Sequence, residues 1–75
     1  SVAELRAAAQ KGNQVIAELA PDIQWIESFV VADKIFCVYL ARDEEVLHEH
    51  SRRSGIPITR VMEVKRVIDP TTARG

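Results

Sequence analysis

The sequence predicts a single small α+β domain, and three observations carry that expectation. Apolar residues recur at helical spacing behind a capping residue in two stretches, Ser1–Leu19 and Asp43–Ser54. Three other stretches, Ile23–Val31, Ile35–Leu40 and Arg60–Ile68, are rich in β-branched and aromatic residues. The order is α-β-β-α-β, with no internal repeat, linker or low-complexity run.

Ser1 and Glu4 read as an S-x-x-E capping box, whose hydroxyl and carboxylate satisfy amide donors that a first helical turn leaves free. At about 100° per residue, Leu5, Ala8, Ala9, Gly12, Val15, Ile16 and Leu19 fall within an arc of about 120°. That is one stripe for burial, with Glu4, Arg6, Lys11 and Glu18 outside it. Pro21-Asp22 ends the helix, because proline has no amide proton to continue the ladder.

The next two strands are expected to form a hairpin about a tight turn at Ala32-Asp33-Lys34. On the second strand Phe36, Val38 and Leu40 occupy one face and Ile35, Cys37 and Tyr39 the other. Both faces are apolar, whereas an antiparallel sheet with one wet face alternates with polar residues. Each face therefore needs a cover: helices over one, a second subunit over the other. The Cys37 face is assigned to the side away from the helices.

Asp43 is a fitting N-cap for the second helix, with Glu44 and Glu45 well placed against the helix dipole. Arg52 and Arg53 sit in its last turn and Gly55 closes it. After Ile56-Pro57 the third strand is expected over Arg60–Ile68, before an irregular tail from Asp69-Pro70.

This order is the ferredoxin-like β-α-β-β-α-β plan without its first strand. The expectation is thus one domain over residues 1–75, N-terminally incomplete, with two helices on one face of an antiparallel sheet. In that plan the first strand is central. Its absence leaves an edge of Ile35–Leu40 or of Arg60–Ile68 open, or matched by a strand from outside these residues.

Composition narrows the partners. A chain of 75 residues buries only about 60% of its extended surface, and 47% of this one is hydrophobic, so self-association is expected. A net charge of −1 gives no electrostatic reason to bind nucleic acid or an anionic membrane. No apolar run approaches the roughly 20 residues of a membrane helix. The lone Cys37 excludes an internal disulfide and suits a reducing, cytoplasmic setting. There is no Gly-rich phosphate loop, C-x-x-C pair or nucleophile elbow. The expected role is non-catalytic.

Two histidines stand out. On a helix His48 and His50 diverge by about 200°, so the H-x-H spacing does not make them joint ligands. His48 lies on the outer face one turn after Glu44, and an i,i+4 Glu-His pair offers two ligands to a first-row divalent metal such as nickel or zinc. His50 falls between Val46 and Leu47 on the helical wheel and points inward. Two readings of it stand open: a core histidine hydrogen-bonded to backbone or serine, or a polar group facing a ligand cavity or metal. Cys37 reads as a small apolar filler, and Trp25, Phe29 and Tyr39 as core or interface residues.

Several segments together resemble a family of small bacterial ferredoxin-like proteins of unknown function, some of whose members are named nickel-binding proteins. They are Trp25-Ile26 leading into Ser28, Asp33 to Ala41, Glu49-His50, Ser54-Gly55-Ile56-Pro57, Val61-x-Glu63-Val64 and Ile68-Asp69-Pro70-Thr71-Thr72. The resemblance implies a ferredoxin-like subunit that pairs through its sheet into a homodimer, an N-terminal strand ahead of the Ser1 helix, and Ni²⁺ as the ligand. His48, Glu44 and His50 are then the candidate metal residues. The alternative function is a dimeric α+β barrel that binds or transforms a small organic ligand near His50.

Overall fold

The computed structural model describes residues 1–74. Helix α1 runs Val2–Leu19, strands β1 and β2 run Ile23–Val31 and Lys34–Ala41, helix α2 runs Glu44–Ser54, and a short 3₁₀ turn follows at Pro70–Arg74. The fold is α+β, as expected.

Local chemistry sets the helix ends. Ser1 Oγ accepts from the Glu4 amide at 3.2 Å, and Asp43 Oδ1 accepts from the Val46 amide at 2.9 Å. Gly55 takes φ +75°, the left-handed closure that glycine adopts without a Cβ clash, and its amide donates to the Ser51 carbonyl at 2.9 Å. The two helices are held together at the surface by Arg53, which donates to Glu49 at 2.7 Å within α2 and to Glu18 of α1 at 3.3 Å.

β1 and β2 form an antiparallel hairpin that closes at Val31↔Lys34, so the turn is one residue tighter than the sequence indicated. The register shifts between Trp25 and Glu27, where Ile26 is the extra residue of a β-bulge. The shift changes which side chains share a face. Trp25 lies opposite Tyr39 and Ser28 opposite Cys37, so all four project to the same side although Trp25 and Ser28 are three residues apart.

That side faces the helices. The core is small: Val15 from α1, Ile23 from β1, and Val46 and His50 from α2. Ile23 shares its face with Tyr39, and the Tyr39 ring packs against His50. The assignment of the Cys37 face away from the helices is therefore corrected. Alternation along a strand fixes which residues go together, but only packing decides which set lies beneath a helix. The opposite face, with Phe29, Phe36, Val38 and Leu40, is left open; Phe36 is 50% exposed and Leu40 62%.

The strand expected over Arg60–Ile68 is also corrected. This segment runs without turn or bend, yet makes no backbone hydrogen bond among the described residues, and the sheet has two strands. Its β-branched residues favour an extended backbone, but a strand also needs a partner edge. An open trough of ≈ 1880 Å³ is lined by β2, by residues 56–67 and by Leu5, Ala8 and Gly12 of α1. The trough explains why the N-terminal half of the α1 stripe is less buried than its spacing indicated: Leu5 is 48% exposed, whereas Val15 is 1%. No helix among the described residues is long and apolar enough to cross a membrane.

Candidate metal centre

α2 separates the two histidines by side. His48 Nε2 lies 3.1 Å from Glu44 Oε2, and both side chains are exposed. One helical turn places them together, and the Asp43 cap fixes where that turn begins. An imidazole nitrogen, a borderline donor that nickel and zinc accept, and a carboxylate oxygen, a harder donor that zinc also accepts, stand on adjacent turns.

His50 points the other way and is 5% exposed. Its Nε2 lies 3.4 Å from the Gly12 carbonyl oxygen, which can only accept, so Nε2 carries the proton of that contact. The imidazole is thereby tied to α1 and withdrawn from the Glu44–His48 face. Of the three candidate residues, the fold brings Glu44 and His48 together and leaves His50 apart.

Neighbouring carboxylates are engaged elsewhere. Asp43 accepts from the Val46 amide and from Arg42, and both hold its carboxyl below the ordinary carboxylate range. Glu49 is held low in the same way by Arg53 and Arg52. Among the described residues no three His, Cys, Asp or Glu side chains gather where they could share a metal ion. The donor types of Glu44 and His48 are ones that a divalent cation accepts, and there are two of them.

Sequence reasoning missed a second group of polar side chains on the inner face of the hairpin. Trp25 Nε1–H donates to Ser28 Oγ at 2.9 Å, and Ser28 Oγ–H donates to Cys37 Sγ at 3.0 Å. Beside them, burial with the Cys37 thiol alongside pushes the Tyr39 phenol from 10 up to about 12. Only the bulge at Ile26 puts Trp25 and Ser28 on one face, and the residue types around it do not announce it.

The model of the nickel responsive protein SCO4226-like family matches residues 1–64. The chain belongs to this family. No curated protein and no solved structure matches it.

Proposed function

We propose that this SCO4226-like chain is a non-catalytic binder of Ni²⁺ or a similar divalent cation, held by Glu44 and His48 on the outer face of α2. The observation that carries the reading is the 3.1 Å approach of His48 Nε2 to Glu44 Oε2 on an exposed helix face. The family's name, which speaks of nickel responsiveness, supports the choice of cation. With two protein ligands the affinity is modest, and water completes the coordination.

The same reading has the chain act in the cytoplasm as a homodimer that covers the open sheet face around Phe36 and Leu40. A contiguous apolar face of that kind is unusual on a monomer. It also takes the subunit to be ferredoxin-like, with a further strand completing the sheet beside the trough. Isothermal titration of tag-free protein with Ni²⁺ tests the site. Binding that disappears in His48→Ala and weakens in Glu44→Ala supports it, whereas unchanged binding in both variants removes the assignment.

A second reading places a small organic ligand in the trough, near His50 and Tyr39. The inward imidazole favours it, but the trough is open and exceeds the roughly 300–1,000 Å³ of ordinary small-molecule pockets.

A further inference from the structure

We propose that Arg42 is a positioning residue for the cation site: it fixes the start of α2, and so the place from which Glu44 reaches His48. The inference rests on the reading that Glu44 and His48 hold the cation. Arg42 follows β2 and bridges two carboxylates. Its Nη1 donates to Asp22 Oδ2 at 2.7 Å and its Nε to Asp43 Oδ2 at 3.0 Å. Its backbone amide also donates to the Asp22 carbonyl at 2.8 Å. Asp22 is itself anchored: its amide donates to the Leu19 carbonyl at 3.0 Å, at the end of α1, and the next residue, Ile23, is buried. Main chain and side chain of Arg42 thus tie the start of α2 to the corner between α1 and β1.

The Asp43 carboxylate is divided between two tasks. Oδ1 caps α2 by accepting from the Val46 amide, and Oδ2 accepts from Arg42. A planar guanidinium fork fixes the direction of a carboxylate in a way that a point charge does not. Glu44 is the first residue of α2, directly after this cap, whereas His48 lies a full turn further in. Fraying of the first turn would carry Glu44 away from His48 and leave His48 in place. Buried Val46 holds the inner side of that turn, and the Arg42–Asp43 pair holds its exposed start.

Charge gives the test its sign. Arg42 is a cation two residues from a cation ligand, so by Coulomb attraction alone its removal would tighten nickel binding. Positioning demands the opposite. Isothermal titration of the full chain with Ni²⁺ is expected to show about threefold weaker binding in Arg42→Gln, and also in Arg42→Lys, which keeps the charge but not the fork. In the Glu44→Ala background Arg42→Gln is expected to cause no further loss, because Arg42 acts through Glu44. Either Arg42 variant binding as tightly as the wild type, or more tightly, overturns the proposal. A loss that persists undiminished in the Glu44→Ala background overturns it too, since it marks a general effect on the fold. Nickel binding that is unchanged in both His48→Ala and Glu44→Ala removes the site and the role of Arg42 with it. Binding that depends on both, with either Arg42 variant unaffected, keeps the site and removes the role alone.

Discussion

The Tyr39 ring lies 5.4 Å from the His50 imidazole, tilted by 58°, and through this contact the hairpin is seated on α2. Tyr39 belongs to the strand face that also carries Cys37, so the pair marks the side of the sheet that the helices cover. His50 in turn reaches the Gly12 carbonyl, so one side chain touches the sheet and both helices.

Burial of Tyr39 has a consequence that is easy to read, because the chain has a single tyrosine. With the folded-state value near 12 and an unfolded value near 10, the folded chain holds its proton while the unfolded chain loses it. This contribution to stability is complete below pH 10 and is lost as pH rises from 10 towards 12. Ultraviolet titration of tyrosinate should show the folded chain ionising near pH 12 and the urea-unfolded chain near pH 10. Tyr39→Phe should remove that part of the alkaline loss of stability.

His50→Ala deletes the ring that joins α2 to Tyr39 and to α1. The expected cost is about 2–3 kcal/mol in urea unfolding, with nickel affinity unchanged. Loss of nickel binding without loss of stability would transfer the metal role to His50.

Gly12 sits in the interior of α1, and a Cβ built there would meet no atom within 4 Å. Glycine inside a helix costs about 0.5–1 kcal/mol relative to alanine. Gly12→Ala should therefore stabilise the chain by about that amount, seen as a higher urea midpoint at unchanged slope. Destabilisation would show that this position is filled by something else in solution.

Phe36→Asp places a charge in the middle of the open sheet face. If that face is the dimer contact, sedimentation equilibrium should show a loss of association of at least tenfold, because a charge without a partner would be buried. The folded monomer should keep its helical circular dichroism, since Phe36 makes no part of the core.

The Glu44–His48 pair and the inward turn of His50 were legible in the sequence, because spacings of three and four residues on a helix translate directly into faces. The caps at Ser1, Asp43 and Gly55 and the hairpin between β1 and β2 were legible for the same reason: each depends on residues close together in the chain. The inner polar group was not, since Trp25 and Ser28 meet only through the bulge at Ile26, a feature of how β1 registers against β2.

Residues close together in the chain set where the helices begin and end, which side chains of β2 share a face and which histidine lies outside. Packing between distant segments put the Tyr39 face under the helices, left Arg60–Ile68 without a strand partner among the described residues, and brought no third ligand to Glu44 and His48 among those residues. Local hydrogen-bond geometry and helical period are written in neighbouring residues. Which surfaces meet depends on contacts between segments far apart in the chain, set by the total area each packing buries.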